Sequence, residues 1–469
     1  MLKQEFKDML ASMGAEFSGL AEALECTQPE VSVRVNISKG GTVPPVTGNA
    51  VPWCREGYYL SERPSFTFDP AMHQGLYYVQ DASSMCLYHI ISSLSERLGG
   101  RPLRLLDACA APGGKTLCAS DALPAESLTV ANEFDFRRAE VLRENVIKWG
   151  AASRVVVSRG DTARFSRLND CFDIVCVDAP CSGEGMMRKD ATAREQWSRT
   201  LIAECAERQR QILDNVWSSL RPGGFLVYST CTFNLAENEQ LIGNFATDHN
   251  ATFEDTGLSG FPGIVPSQLP GVKAARFLPG RIRGEGLFVC ILCKPGANED
   301  VIPADMPSTT RKPAKSKKGK SAISKNNNAI NPAIVQNWLA TTDMALETRG
   351  DAVTALPVAH ASFISLLRQN LDTILAGTDV ATIRGRDLVP THELAMTTGL
   401  LRPDTFPRYE VDRPTSLRYL RREAIMLEAS TPKGFVLLTY NDNPLGFVKN
   451  LGNRANNLYP APWRILKSV

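Results

Sequence analysis

Residues 103–116, Leu-Arg-Leu-Leu-Asp-Ala-Cys-Ala-Ala-Pro-Gly-Gly-Lys-Thr, predict a short apolar strand, a loop with two glycines and the start of a helix. Glycines at such a junction let the backbone approach a ligand closely. Lys115 and Thr116 match the end of a phosphate-binding P-loop, but that motif requires glycine where this chain has Cys109. The segment therefore indicates a ligand-binding strand end of a different kind.

Apolar strands and amphipathic helices alternate after this segment. Further strands are predicted over residues 127–133, 154–161, 172–178 and 224–231, and a long helix over about 193–220. A helix between the second and third strands is expected to bury one face, made of Phe136, Ala139, Leu142, Val146 and Trp149. This alternation predicts an α/β core with a mostly parallel, doubly wound sheet of the Rossmann-like type.

The rest of the 469 residues divides around that core. We predict a small α+β N-terminal domain over residues 1–75, the core over 76–295 and a C-terminal α+β domain over 332–469. A flexible basic linker is predicted over 296–331, because seven Lys and Arg residues and no acid occur between positions 311 and 325.

Composition narrows the class of protein without naming a partner. The net charge of +2 is too small to argue for a nucleic-acid partner from the total alone. No signal peptide or membrane span is predicted, so a soluble, cytoplasmic protein is expected. The 12 cysteines predict reduced thiols, and the pair Cys290 and Cys293 lies in an apolar run without the further ligands of a zinc site, so no metal is expected.

Carboxylates end the first four predicted strands: Asp107, Glu133, Asp161 and Asp178. In open parallel sheets, ligands bind outside the carboxyl ends of the strands, so these acids are expected to surround one crevice. Glu133 suits the two hydroxyls of a ribose. The alternative interpretation is that the acids only cap helices.

Two cysteines follow neighbouring predicted strands. Cys181 lies in Asp-Ala-Pro-Cys-Ser-Gly-Glu-Gly after the fourth strand, and Cys231 in Ser-Thr-Cys-Thr after the fifth. A thiolate that adds to carbon 6 of cytosine makes carbon 5 able to attack an activated methyl group, and Asp178 is placed to stabilise the adduct near ring nitrogen 3. Methylation of an amine is the alternative, but such sites usually carry an Asn/Asp-Pro-Pro-aromatic turn. The residues alone do not rank the two thiols.

These motifs resemble those of the RNA 5-methylcytosine methyltransferases, the RsmB/RsmF and NSUN group. The resemblance includes residues 33–36, 80–85 and 284–288 and covers about residues 1–295. The domain layout is similar to that of the bacterial RsmF branch, which methylates 16S ribosomal RNA. Residues 392–395 and 446–454 resemble the RNA-binding C-terminal region of that branch and imply a PUA-like domain.

The resemblance implies S-adenosylmethionine as the cofactor and RNA, 16S rRNA or the small ribosomal subunit, as the partner of a monomeric enzyme. It makes Cys231 the nucleophile and Cys181 the residue that assists product release. Glu133 would bind the ribose, Asp161 the adenine side, and Asp178 would lie between cofactor and base. The cofactor loop would consist of Cys109, Ala110, Ala111, Pro112, Gly113, Gly114 and Lys115.

Three other functions remain open from the sequence. One is a non-catalytic ribosome-assembly factor that keeps the fold and binds RNA, although binding alone requires neither thiols nor carboxylates. The others are methylation of tRNA and methylation of a protein or a small molecule.

Overall fold

The computed structural model of the protein describes residues 1–41, 47–297 and 332–467. The predicted basic linker, with its cations at 311–325, lies outside the described residues except for positions 296 and 297. Among the described helices, none is both long enough and apolar enough to span a bilayer.

The N-terminal part is a small four-stranded sheet with helices before it. Phe6, Met9 and Leu10 recur at helical spacing and are buried, and Phe6 packs edge-on against Trp197 of the core with ring centres 5.3 Å apart. The sheet order is β2-β3-β1-β4, and β4 lies beyond residue 75, the boundary predicted from the sequence. The elements are α1 Gln4–Ser12, α2 Leu20–Cys26, β1 Ser32–Val35, β2 Thr47–Val51, β3 Cys54–Leu60, α3 Pro70–His73 and β4 Tyr77–Val79.

The core alternates strands and helices as predicted. The elements are α4 Cys86–Arg97, β5 Arg104–Asp107, α5 Gly114–Asp121, β6 Leu128–Glu133, α6 Phe136–Trp149, β7 Val155–Arg159, β8 Phe172–Asp178, α7 Ala191–Gln196, α8 Arg199–Trp217, β9 Leu220–Thr230, α9 Leu241–Asp248, β10 Thr252–Glu254, β11 Val265–Pro266, β12 Ala274–Phe277 and β13 Leu287–Cys293.

The central sheet has the order β11-β12-β13-β9-β8-β5-β6-β7-β16, where β16, Asp372–Leu375, belongs to the C-terminal part. The strands from β9 to β7 are parallel, which confirms the predicted doubly wound core. The chain leaves β5 for β6 on one side and later reaches β8 on the other. The order therefore reverses beside β5, which is where ligands bind in such sheets.

Several local predictions were wrong. The helix predicted over 193–220 is two helices, because Trp197 and Ser198 are extended and the Ser198 hydroxyl accepts a hydrogen bond from the N–H of Leu201 at 3.1 Å to start α8. Phe136 is 60% exposed rather than buried, since it is the first residue of α6 and stacks under the guanidinium of Arg159. The third strand ends at Arg159, two residues before Asp161.

The C-terminal part contains two further four-stranded sheets, with the orders β14-β15-β17-β18 and β19-β20-β21-β22. The elements are β14 Met344–Arg349, β15 Ala352–Pro357, α10 Ala361–Asn370, β16 Asp372–Leu375, β17 Thr378–Arg384, β18 Asp387–Pro390, α11 His392–Met396, β19 Arg408–Glu410, α12 Arg413–Leu420, β20 Gly434–Tyr440, β21 Asn443–Asn450 and β22 Ala455–Asn457.

The C-terminal part shares its hydrophobic core with the central sheet. Strand β16 pairs antiparallel with the edge strand β7, and Asp372 accepts a hydrogen bond from Arg159 at 2.7 Å. Phe363 of α10 packs edge-on against Phe172 of β8, with ring centres 6.0 Å apart. Because the contact between Phe363 and Phe172 is buried and apolar, the two parts stabilise each other.

Candidate active site

Parallel pairing of β8 and β9 places the two predicted thiols together. Asp178, the last residue of β8, lies opposite Ser229 of β9, so the loops after both strands leave the sheet at the same edge. The sulfur atoms of Cys181 and Cys231 are 3.2 Å apart, and both residues are partly exposed. A single base entering the cleft could therefore contact both sulfur atoms.

The surroundings of Cys181 and Cys109 raise the pKa values of both thiols. The hydrogen bond with Cys231, together with burial, raises the pKa of Cys181 well above its usual range. Burial and the nearby acids Asp107 and Asp178 do the same to the pKa of Cys109. Because a thiol with a raised pKa is protonated at neutral pH, Cys109 and Cys181 are suited to hold a proton.

Asp178 lies between the loop of residues 109–115 and β9. Its two oxygens accept hydrogen bonds from the Lys115 ammonium at 2.8 Å and the Ser229 hydroxyl at 2.9 Å. Burial alone would lower the pKa of Lys115, but the charge of Asp178 outweighs it and raises the pKa above the ordinary value. The ammonium therefore stays charged and holds the carboxylate in the cleft.

The glycine-containing loop connects β5 to α5 beside Glu133. Gly113 has a φ of +112°, a left-handed conformation that glycine adopts without strain, and a Cβ there would meet Leu142 at 3.0 Å. The Glu133 carboxylate accepts hydrogen bonds from the N–H groups of Ala111 at 3.3 Å and Asp135 at 2.9 Å. Glu133 is 4% exposed and thus fixed against the loop.

The other two predicted acids have different surroundings. Asp107 is buried, and one of its oxygens accepts a hydrogen bond from the Thr116 hydroxyl at 2.6 Å while the other has no partner among the described residues. Asp161 is exposed and accepts from the N–H of Ala163 at 2.8 Å, so in this structure it caps the short helix that begins at Thr162. The alternative interpretation of the acids as helix caps thus describes Asp161 but not the other three.

The cleft has the features that a nucleoside with a charged amino-acid group requires. It offers an unpartnered buried carboxylate oxygen at Asp107, a positive-φ glycine that leaves space for close approach, and Glu133 at the next strand end. Carboxylates are hydrogen-bond acceptors for ribose hydroxyls and for an ammonium group. These residues therefore fit S-adenosylmethionine.

Residues 80–85 and 284–288, two of the segments on which the family resemblance rests, meet beside the segment that follows Cys181. The N–H of Glu285 donates to Asp81 at 2.9 Å, and the Ser83 hydroxyl donates to the Glu285 carbonyl at 2.7 Å. The Glu285 carboxylate pairs with Arg188 at 2.8 Å and with Lys189 at 3.0 Å. Residues 80–85 and 284–288 are thus joined to the segment that follows Cys181.

Two buried carboxylates, Glu184 and Glu237, were not predicted from the sequence, and both are 0% exposed. Each follows one of the thiols, by three and six residues respectively. The available signal was an acid six residues after each predicted strand end, but sequence alone does not tell a buried acid from an exposed one. No group of acids, histidines and cysteines suited to a metal ion occurs among the described residues.

Comparison with protein families identifies all three parts of the chain. Residues 101–293 match the model of the 16S rRNA methyltransferase RsmB/F, residues 2–82 the N-terminal domain of the 16S rRNA methyltransferase RsmF, and residues 406–465 the PUA domain of the methyltransferase RsmF.

Similar curated proteins are the ribosomal RNA small subunit methyltransferases F of Escherichia coli K12 and of Shigella sonnei. Each is 31% identical over 417 residues, which is 87% of this chain and 83% of the relative. Among solved structures, NSun6 from Pyrococcus horikoshii superimposes with a TM-score of 0.52 at 19% identity, over 63% of this chain and 99% of that one. That likeness supports the methyltransferase fold.

Proposed function

Because the chain belongs to the RsmB/F family of 16S rRNA methyltransferases, we propose that it methylates carbon 5 of a cytosine in 16S rRNA through a covalent bond to Cys231. S-adenosylmethionine is the methyl donor. The observation that carries the mechanism is the 3.2 Å separation of the Cys181 and Cys231 sulfur atoms at adjacent strand ends.

The cofactor would be held by the strand ends on one side of the cleft. The loop from Cys109 to Lys115 would enclose it, Glu133 would accept from the ribose hydroxyls, and Asp161 would lie at the adenine side. Bound there, it supplies an activated methyl group. Asp178, fixed by Lys115 and Ser229, would stand between this group and the RNA base.

The residues that would face the RNA base have two roles, addition to the base and release of the product. Cys231 adds to carbon 6 of the unstacked cytosine, which makes carbon 5 nucleophilic. Asp178 stabilises the adduct near ring nitrogen 3. After methyl transfer, the carbon 5 proton is lost, the double bond between carbons 5 and 6 forms again, and the bond from carbon 6 to the Cys231 sulfur breaks. Cys181, whose pKa is raised, gives its proton to the departing Cys231 sulfur and takes up the carbon 5 proton in its place.

The other candidate functions are not favoured. A non-catalytic assembly factor requires no paired thiols, and the relatives named above are methyltransferases of the small-subunit RNA rather than of tRNA. We further infer that the chain acts in the cytoplasm as a monomer, and that its N-terminal and PUA domains contact the RNA.

The test of this function is methylation of 16S rRNA from cells that lack the gene for this chain. The purified full chain with S-adenosylmethionine should create 5-methylcytosine at a defined position, read by bisulfite sequencing, and Cys231→Ala should not. Methylation of tRNA alone, or no methylation of either RNA, would contradict the proposal.

A further inference from the structure

Two loops carry the paired thiols, and each loop also carries one buried glutamate. The first, residues 179–187, contains Cys181 and Glu184, and the second, residues 231–237, contains Cys231 and Glu237. In addition, the N–H of Gly185 donates to the Cys231 carbonyl at 2.7 Å, and a Cβ at Gly185 would lie only 2.5 Å from that oxygen. The loops are therefore in direct contact behind the sulfur atoms.

Glu184, from the Cys181 loop, binds the backbone of the Cys231 loop. One of its oxygens accepts from the N–H groups of Phe233 at 2.7 Å and Asn234 at 2.9 Å. The other accepts from the Trp197 indole at 2.8 Å and from the Asn234 side-chain amide at 3.1 Å.

Glu237, from the Cys231 loop, binds the backbone of the Cys181 loop in return. One oxygen accepts from the N–H of Ser182 at 2.9 Å and from the Gln209 amide at 2.8 Å. The other accepts from the Ser182 hydroxyl and, at 2.7 Å, from the Asn234 amide. The Asn234 amide thus bridges the two carboxylates.

A role in stability alone does not account for this arrangement. Burying two carboxylates is costly, and neither Glu184 nor Glu237 forms an ion pair with a cation in the part of the chain that the structure describes. Apolar side chains would avoid that cost, but they would leave the buried N–H groups of Ser182, Phe233 and Asn234 unpaired, so the carboxylates are what joins the two loop backbones. Each carboxylate fixes the backbone of the loop that carries the other thiol. Catalysis requires that reacting atoms be held at fixed positions, and this arrangement meets that requirement.

We propose that Glu184 and Glu237 are positioning residues that together form a glutamate clamp, in which each carboxylate fixes the loop that carries the other thiol. Glu237 holds Ser182, next to Cys181, and thereby sets the position of the releasing thiol. Glu184 holds the backbone two and three residues after Cys231 and thereby sets the position of the nucleophile. The roles that this inference gives to the two thiols rest on the proposed function, whereas the positions of the thiols are taken from the structure.

The clamp predicts that Glu184→Gln and Glu237→Gln impair different steps of the reaction. In Glu237→Gln or Glu184→Gln, an amide donor faces other donors, and the anchored loop shifts. Because Glu237 anchors the Cys181 loop, Glu237→Gln should slow release and accumulate a covalent protein–RNA adduct with 16S rRNA. Because Glu184 anchors the Cys231 loop, Glu184→Gln should lower adduct formation itself. In both variants kcat should fall by about 10- to 100-fold, as expected for a small misplacement, with KM for RNA within about twofold of wild type.

The rate of disulfide formation between Cys181 and Cys231 reports on the distance between their sulfur atoms and can be measured without RNA. The thiol oxidant diamide, which is reduced to a hydrazine as two thiols form a disulfide, should link Cys181 to Cys231 rapidly in the wild-type chain. The link should form more slowly in both glutamine variants. Glu393→Gln is the matched control, since Glu393 is a buried carboxylate that accepts from Arg143 at 2.5 Å and from the N–H of Asp379 at 3.0 Å, distant in sequence from either thiol. It should leave the rate of disulfide formation unchanged.

Ser182→Ala provides a milder variant if the glutamine variants fail to fold. It removes the hydroxyl contacts with Glu237 and Thr232 but keeps the backbone N–H bond. It should show a smaller slowing of release and of disulfide formation. Wild-type disulfide rates in all folded clamp variants, or equal slowing in Glu393→Gln, would overturn the clamp. Failure of the wild-type chain to methylate any RNA would instead overturn the proposed function and leave the disulfide readout intact.

Discussion

Immediate neighbours and burial set the pKa values of Lys115, Asp107 and Cys181 in the cleft. Lys115 holds Asp178 by an ion pair, whereas Asp107 lies in a buried position with one oxygen unpartnered. The common position of residues 109–115, Asp178 and both thiols at one sheet edge could be predicted from the sequence, since they follow strand ends. The raised pKa of Cys181 could not, because burial and the approach of Cys231 to Cys181 arise only when the strands pair.

Asp107 makes stability depend on pH. Burial, with a smaller contribution from the negative charge of Asp178, raises the pKa of Asp107 to about 7, from its ordinary value of 3.8. Between these values the folded state binds a proton that the unfolded chain has lost, so the free energy of unfolding decreases as pH rises and levels off above the folded pKa. Because the side chain at position 107 cannot ionise in Asp107→Asn, the melting temperature of this variant should fall less than that of wild type between about pH 5 and about pH 8.

The control for this comparison is Asp351→Asn, which alters an exposed carboxylate. It should follow the wild-type pH dependence. If Asp107→Asn and wild type lost the same melting temperature, the proton on Asp107 would be ruled out as the cause.

At the scale of elements, the alternation of strands and helices was sufficient to predict the parallel sheet and the neighbouring positions of β8 and β9. The boundary between α7 and α8 was not predicted, since the extended Trp197 is an apolar residue that fits a helix pattern equally well. Its position follows from tertiary contacts: the Trp197 indole donates to Glu184 and its ring packs against Phe6. Strand β16 was likewise unpredictable as part of this sheet, because it comes from a distant part of the chain.

The turn between β5 and α5 should tolerate no side chain at Gly113. Its φ of +112° disfavours other residues by about 1–3 kcal/mol, and a Cβ would press on Leu142. Gly113→Ala should therefore weaken S-adenosylmethionine binding by about tenfold or more, measured by calorimetry. Gly99→Ala has a similarly positive φ of +82° and open space around its Cβ, so it should bind the cofactor as wild type does. Equal affinities for both variants would argue against the loop as the cofactor site.

For the whole molecule, changes of pattern along the sequence predicted N-terminal, catalytic and C-terminal parts, and the structure shows how closely the last two are joined. The shared core could not be predicted from pattern, because the side chains of α10 form an ordinary amphipathic face. Only the structure places Phe363 against Phe172 and under the Arg104 guanidinium, whose carbon lies 4.0 Å from the ring centre.

Loss of the contact between Phe363 and Phe172 should destabilise the catalytic part, although the substituted residue lies in the C-terminal part. Phe363→Ala should cost about 3–5 kcal/mol, as for other buried aromatic residues, and should speed hydrogen exchange of the β8 amides as well as those of α10. Val358→Ala, at a position 56% exposed, should change neither. Faster exchange confined to α10 would mean that the two parts unfold independently.

The central claim is that two thiols of one cleft divide attack and release between them, with Cys231 attacking. It is tested most directly by mixing 16S rRNA and S-adenosylmethionine with each single variant and separating covalent protein–RNA adducts on a denaturing gel. Cys181→Ala should accumulate the adduct, and Cys231→Ala should form none. An adduct with Cys231→Ala that disappears in Cys181→Ala would reverse the two roles and contradict the account.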